Sequence, residues 1–142
     1  CMIVTLAASQ WQTITEHLQS ALPNEACGLL AGHDGRTEAV YLIANAERSP
    51  TRYSMEPGEL IRAIVEIEDN GWELIGIFHS HPAGPPIPSP TDIAEAYYPD
   101  SAYVICYPAD KGWQARAFEI GDGKVGEVGV QIGAETRGFG AG

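Results

Sequence analysis

The stretch that decides the fold is Leu74-Ile75-Gly76-Ile77-Phe78-His79-Ser80-His81-Pro82. Its first five residues form a nearly continuous apolar run, which is typical of a strand buried on both faces. Two histidines follow at positions i and i+2, and in an extended chain such residues point to the same side. The end of this strand therefore brings the imidazoles of His79 and His81 to one place.

The segment after the histidines is rich in proline and then begins a helix. Five prolines stand among positions 82–90, so this stretch is neither helix nor sheet. Ser89-Pro90-Thr91-Asp92 is a helix-start pattern, with serine at the N-cap, proline at N1 and aspartate at N3. If the loop folds back, Asp92 joins the two histidines, and such a set of ligands occurs in catalytic zinc sites.

Spacing alone leaves two interpretations of these residues open. A pair of histidines at a strand end is often incidental, and helix capping already explains both Ser89 and Asp92. The residues alone do not identify a general base either. Seventeen other acidic residues compete with Glu25 once Asp92 is set aside.

The patterns on either side predict an α/β or α+β domain, with a mixed sheet flanked by helices. Helical spacing predicts a helix from an N-cap at Ser9 to about Leu22, a second from Leu60 until Asn70-Gly71, and a short third to about Tyr98. Strands are predicted at 2–7, 27–32, 37–46, 74–78, 102–107, 113–120 and 125–132. A turn at 33–35 joins the second and third strands, and a polar loop spans 47–58. The domain is predicted to occupy 1–132, with a flexible Gly-rich tail over 133–142.

The composition excludes several classes of function. The chain has 142 residues, with 19 acidic and 8 basic side chains and a formal net charge of -11. Such a charge repels nucleic acid and anionic membranes, so neither is an expected partner. It would attract a basic protein surface, although solubility alone also explains it.

The three cysteines do not suggest a disulfide framework, because the count is odd and no C-x-x-C is present. Cys27 and Cys106 stand in apolar surroundings and are expected to be buried thiols. Cys1 precedes Met2 and receives no role. The sequence shows neither a signal peptide nor an apolar run approaching 18 residues, so a cytoplasmic protein is expected.

The motif from His79-Ser80-His81-Pro82 through Ser89 to Asp92 resembles the full motif of the JAMM, or MPN-plus, zinc metallopeptidases: H-x-H-P, six residues, S-x-x-D. The segment 23–32, which contains Glu25, resembles the family's upstream glutamate and short apolar strand, in the form common among prokaryotic members. The resemblance implies the JAMM/MPN fold, which is cytidine deaminase-like, with a partly barrel-like sheet flanked by helices.

The resemblance also implies roles for individual residues. His79, His81 and Asp92 would bind Zn²⁺, with one oxygen of Asp92 on the metal and the other on a backbone donor. Glu25 would take a proton from the attacking water and pass it to the leaving amine. Ser89 would donate to the developing oxyanion or brace the site. Ser80 would point away from the metal by strand alternation. Tyr53 and Met55 are the expected contacts of the substrate's extended tail, unless they lie in an ordinary surface loop.

The resemblance further implies the reaction. Members of this deubiquitinase-like family cut the bond after the C-terminal Gly-Gly of ubiquitin, and small prokaryotic members act on ubiquitin-like sulfur carriers. This chain is therefore expected to be a zinc-dependent (iso)peptidase acting on such a protein. One alternative is release of cysteine or another small adduct from a sulfur carrier in cysteine or cofactor biosynthesis.

Two alternatives keep the fold and change the function. A non-catalytic MPN scaffold is disfavoured, because every expected ligand and Glu25 are present. A DNA-repair branch of the family usually has H-N-H-P, whereas this chain has Ser80 in the second position and an acidic composition.

Overall fold

The computed structural model describes residues 3–133 and 135–137, and for the last three it describes the backbone only. The helices and strands in chain order are β1 (Ile3–Leu6), α1 (Ala8–Ala21), β2 (Cys27–His33), β3 (Arg36–Ile43), α2 (Pro57–Asp69), β4 (Glu73–Ser80), α3 (Pro90–Ala94), β5 (Ala102–Ala109), β6 (Gly112–Gly121), β7 (Lys124–Ile132) and β8 (Glu135–Arg137). Within the predicted tail, residues 135–137 form β8, which pairs with β7, so the described sheet continues past residue 132. Residues 134 and 138–142 lie outside the described residues.

The strands form one sheet in the order β1-β3-β2-β4-β5-β6-β7-β8, and β1 also pairs with β7. That second pairing closes seven strands into a barrel. The pairs β1–β3, β1–β7 and β4–β5 are parallel, and the others are antiparallel. The mixed, partly barrel-like sheet expected from the sequence is therefore confirmed.

Strand β4 lies between β2 and β5 in the sheet. It is buried from Ile75 to Ser80, so the prediction of a fully buried strand is correct. Phe78 is fully buried and packs against β2 at Gly28, where a Cβ would collide with its ring and with the carbonyl of Tyr41. Glycine at this position is therefore required for the close approach that fixes β4 against β2.

The first helix begins two residues earlier than predicted. Its N-cap is Ala7, and Ser9 already lies in the first turn. The side chain of Gln10 supplies the cap instead, because its Oε1 accepts from the N–H of Ala7 at 2.8 Å. Ile14 and Leu18 face the core, as their spacing predicted.

The third helix ends at Ala94, four residues before the predicted end at Tyr98. A proline disfavours helical dihedrals at the residue before it, so Pro99 disfavours a helix that reaches Tyr98. The N–H of Tyr98 instead donates to the hydroxyl of Tyr103 on β5, at 3.0 Å. The segment after α3 is therefore tied to the sheet.

The loop between β3 and α2 covers residues 44–56, so the prediction of 47–58 began and ended too late. At its start, the Oδ1 of Asn45 accepts from the N–H of Glu47 and of Ser54, each at 3.0 Å, and this turn ends the strand at Ile43. At its end, the carboxylate of Glu56 accepts from the N–H groups of residues 58 and 59 and caps α2. No helix within the described residues is long and apolar enough to cross a membrane.

Candidate metal centre

Two imidazoles and one carboxylate converge at the C-terminal end of β4. The Nε2 atoms of His79 and His81 lie 3.0 Å apart, and Oδ2 of Asp92 lies 3.2 Å from the first and 3.1 Å from the second. His79 is fully buried and His81 nearly so. The structure thus brings together the three residues predicted as metal ligands.

The spacing of these atoms fits a divalent metal. Zinc bonds to nitrogen and oxygen are about 2.0–2.1 Å long, and tetrahedral angles then place neighbouring donors about 3.3 Å apart. The observed separations of 3.0 to 3.2 Å are close to this value. Two imidazoles with one carboxylate are also a donor set that zinc accepts while keeping a fourth position open.

A hydrogen bond fixes the tautomer of His81. Its Nδ1 lies 2.8 Å from the carbonyl oxygen of Pro85, in the proline-rich loop. A carbonyl can only accept, so Nδ1 carries the proton and Nε2 of the neutral ring presents its lone pair to the site. The loop therefore orients one of the candidate ligands.

Asp92 enters the site from the first turn of α3. The N–H of Ser89 donates to Asp92 Oδ2 at 2.9 Å, and Ser89 Oγ accepts from the N–H of Asp92 at 3.0 Å. This capping box confirms the predicted helix start. One oxygen of Asp92 was expected to face the metal and the other to accept from a backbone donor. This expectation is wrong, because Oδ2 both accepts from the N–H of Ser89 and faces the imidazoles.

The electrostatics of the cluster favour an ionised Asp92. Burial raises the pKa of its carboxyl, but the hydrogen bonds with His79 and His81 outweigh burial and hold the pKa well below its usual range. Burial lowers the pKa of His79, so the neutral ring is favoured there. Burial also acts to lower the pKa of His81, but the hydrogen bond to Asp92 outweighs it, and the pKa of His81 is raised.

Glu25 is the fourth polar group of the site. It lies just before β2 and is only 4% exposed. One ligating atom from each of Glu25, His79 and His81 lies within 4.8 Å of the others. Burial raises the pKa of the Glu25 carboxyl to about 7, although the charge of His81 partly opposes this. A carboxylate with such a pKa can exchange a proton near neutral pH.

Ser80 points away from the cluster and braces the strand that follows Glu25. Its Oγ accepts from the N–H of Ala26 at 2.8 Å, and its own N–H donates to the carbonyl of Ala26 at 3.0 Å. Cys27 also turns away, with its thiol 3.5 Å from the carbonyl of Ile43. Burial raises the pKa of this thiol to about 12, so it is not a nucleophile.

The loop 44–56 covers one side of the centre. The ring of Tyr53 stacks on the imidazole of His79, with 4.5 Å between centroids and 23° between planes. Tyr53 and Met55 both line a cavity of about 310 Å³ beside the centre, whose other lining residues include Tyr97, Tyr98 and Tyr103. The two residues predicted as tail contacts thus lie in one cavity.

Sequence reasoning missed Asn45. Its Nδ2 donates to the carbonyl of Glu25 and to that of Arg52, both at 3.0 Å. An asparagine after a strand pattern indicates a turn. Nothing in the sequence indicates that its amide would reach Glu25.

Comparison with known proteins identifies the family of this chain. Residues 7–120 match the family described as prokaryotic homologs of the JAB domain. A protein of Mycobacterium tuberculosis named CysO-cysteine peptidase is 35% identical over 133 residues, which are 92% of this chain and 91% of that protein. A protein of Thermus thermophilus, named probable TtuB-protein conjugate cleaving protease, is 43% identical over 56% of this chain and 54% of its own length.

A solved structure agrees over nearly the whole chain. The solution structure of a Desulfitobacterium hafniense protein superposes with a TM-score of 0.81 at 38% identity, and covers 94% of both chains. The resemblance found in the histidine motif is thereby confirmed. This chain belongs to the prokaryotic homologs of the JAB domain, within the metal-dependent JAMM-type peptidases.

Proposed function

We propose that this chain is a zinc-dependent (iso)peptidase that cleaves the bond after the C-terminal Gly-Gly of a ubiquitin-like or sulfur-carrier protein. The observation that carries the proposal is the convergence of His79 Nε2, His81 Nε2 and Asp92 Oδ2 within 3.2 Å of one another, with Glu25 buried beside them. We assign the first three as the metal ligands and Glu25 as the general base.

The proposed chemistry divides between the metal and the chain. When bound, Zn²⁺ would polarise the scissile carbonyl and make water a stronger nucleophile at neutral pH. Glu25 takes the proton of the attacking water on its carboxylate and returns it to the leaving amine.

Ser89 is the candidate donor to the developing oxyanion. Its oxygen already accepts from the N–H of Asp92, at 3.0 Å. The hydroxyl proton remains available, because a serine hydroxyl accepts and donates at the same time. Bracing of Asp92 is the alternative role, and a Ser89→Ala variant separates the two: loss of turnover with full zinc content indicates the oxyanion donor.

The proposed substrate is supported by the cavity beside the centre and by the names of the relatives. A Gly-Gly tail is narrow enough to pass a site covered by a loop, and it can bind in an extended form. Tyr53 and Met55 are the proposed contacts of the residues that precede it, because both line the cavity beside the centre. The names of the relatives cover both a conjugate-cleaving protease and a cysteine-releasing peptidase.

The second candidate is therefore release of cysteine or another small adduct from a sulfur carrier. It keeps the same site and changes only the leaving group. The non-catalytic scaffold is disfavoured, because His81, Asp92 and Glu25 all stand beside His79.

A cytoplasmic location is proposed because the thiols of Cys27 and Cys106 are free and buried, which suits a reducing compartment.

The test is intact-mass analysis of a cleavage panel. Zinc-loaded protein is mixed with sulfur carriers and with ubiquitin, each carrying a peptide, a lysine or a cysteine after Gly-Gly. Cleavage directly after Gly-Gly that disappears with a chelator and returns with zinc supports the proposal, and the preferred adduct chooses between the two candidates. Absence of cleavage of every adduct by protein with one bound zinc would reject this substrate class.

A further inference from the structure

The side chain of Asn45 uses its full hydrogen-bonding capacity within the loop 44–56. Nδ2 donates to the carbonyls of Glu25 and Arg52, and Oδ1 accepts from the N–H groups of Glu47 and Ser54, all at 3.0 Å. Backbone carbonyls only accept and backbone N–H groups only donate, so just one orientation of the amide satisfies all four bonds. The position therefore requires an amide and not a carboxylate.

The backbone of Glu25 depends on this loop. Glu25 precedes the first residue of β2, so it lies outside the strand ladder. Its N–H donates to the carbonyl of Ser49 at 2.8 Å, and its carbonyl accepts from Asn45. Both of its main-chain groups thus bond to the loop, and only the next residue, Ala26, is tied to β4 through Ser80.

The other contacts of Asn45 tie down the part of the loop that reaches the histidines. Ser54, which donates to Oδ1, follows the Tyr53 that stacks on His79. Its carbonyl also accepts from the N–H of Ala46 at 2.7 Å. One amide therefore connects the backbone of Glu25 to the segment that packs on a candidate metal ligand.

We propose that Asn45 is a positioning residue for the reaction, which holds the Glu25 carboxylate in register with the histidine cluster. The inference rests on the proposed function, because it assigns Glu25 the general-base role. The four hydrogen bonds of Asn45 all go to the main chain, and Asn45 is not one of the assigned ligands. It acts through the donor half of its amide, whereas the acceptor half folds the turn.

The substitution that separates the two halves is Asn45→Asp. The carboxylate has the same shape and still accepts from residues 47 and 54, but it cannot donate to Glu25 or Arg52 and faces their carbonyl oxygens. Asn70→Asp is the matched control. It makes the same change of charge and removes an amide donor, which bonds the carbonyl of Glu66 at 2.8 Å at the end of α2.

The expected kinetic result is a fall in kcat of about 10- to 100-fold for Asn45→Asp, because small misplacement of a catalytic group has this effect. KM should change by less than about threefold and zinc content should stay at that of the wild type, since Asn45 lies outside the ligand set. The Asn70→Asp control should keep the wild-type kcat. A rise in KM at constant kcat would overturn the proposal and indicate a role in substrate binding.

A double-mutant cycle tests whether the effect passes through Glu25. In single-turnover assays on the Glu25→Gln background, Asn45→Asp should cause little further loss, because there is no longer a base to position. If Asn45→Asp lowers the rate by the same factor with and without Glu25→Gln, the proposal is overturned and the amide supports the site in some other way.

Hydrogen exchange tests the placement without any assay of activity. In Asn45→Asp, repulsion between the carboxylate and the Glu25 carbonyl should weaken the adjoining bond from the Glu25 N–H to the carbonyl of Ser49. Protection of the Glu25 amide should therefore fall at least about tenfold, while the Ser54 amide and the β4 amides stay protected. Unchanged protection at Glu25 would overturn the proposal, even if the protein cleaves none of the tested adducts. Cleavage by wild-type protein separately decides the proposed function.

Discussion

The two sides of the catalytic centre are held in different ways. His79 belongs to strand β4, whose residues 75–80 are buried and paired with β2 and β5, and His81 follows directly after it, with its N–H on the carbonyl of Cys106 at 2.8 Å. Glu25 lies outside the ladder, and its main chain bonds to a loop whose residues are mostly exposed or half-buried. On the side of the proposed ligands (the ligand side), the buried sheet holds the histidines and the cap at Ser89 holds Asp92. On the side of the proposed base (the base side), a few hydrogen bonds to the loop hold the backbone of Glu25.

This difference implies that the two sides fail separately. A substitution that disturbs β4 should lower both metal binding and the free energy of unfolding, because core strands open only with global unfolding. Disturbance of the loop should leave the ligands in place and misplace the base. Variants that change zinc content and turnover independently therefore test the division.

The largest effect is expected on the ligand side. His79→Ala removes a fully buried imidazole from the centre, so both zinc and activity should be lost. Metal analysis of the purified protein and the cleavage assay measure the two losses. His33→Ala is the control, since His33 is exposed at the far end of β2. Retention of stoichiometric zinc in His79→Ala would contradict the assigned ligand set.

The next largest effect is expected on the base side. Glu25→Gln keeps the shape of the side chain and removes its ability to take a proton, so kcat should fall by about 10²- to 10⁴-fold. Zinc content should stay at one ion per chain, because Glu25 is not one of the assigned ligands. If zinc is lost in parallel with activity, Glu25 is a ligand and the two sides are not distinct.

The same division explains how much the sequence could predict. The apolar run before His79 indicates a buried strand, and strand alternation then places His81 beside it. The helix-start pattern around Asp92 is equally local, but the spacing alone left a metal site and plain helix capping both open, and the family resemblance assigned the three ligands. The family resemblance supplied Glu25, since seventeen other acidic residues were candidates.

The base side could not be predicted in the same way, because its contacts join residues that are distant in sequence. Asn45 reaches Glu25, which lies twenty positions earlier in the chain. Long polar side chains choose among many backbone partners, and only the folded chain decides between them. Barrel closure by β1 and β7 is likewise a contact between the two ends of the domain.

A smaller effect should distinguish the two ends of β4. Ser80→Ala leaves the buried N–H of Ala26 without its acceptor, which costs about 1–3 kcal/mol of unfolding free energy. Because Ala26 follows Glu25, turnover should also fall a few-fold. Ser101→Ala is the matched variant at the other end, where the serine donates to the carbonyl of Leu74 at 2.7 Å.

Urea unfolding and kcat together test this pair. Both variants should lower the free energy of unfolding, and only Ser80→Ala should lower kcat. Equal loss of turnover in Ser101→Ala would mean that the rate follows global stability, and the base side would then need no separate support from β4.

The smallest effect is expected from charge at the surface of the loop. The guanidinium of Arg52 lies 3.9 Å from the carboxylate of Glu47 and 3.8 Å from that of Glu95, the C-cap of α3, and all three side chains are exposed. Such ion pairs contribute about 0–1 kcal/mol and weaken with salt. Arg52→Gln should therefore change kcat by less than about twofold, and the change should vanish at high salt. The backbone carbonyl of Arg52 still accepts from Asn45 in this variant. A fall in kcat of tenfold or more would thus show that the ion pairs of Arg52, and not the Asn45 amide, keep Glu25 in position.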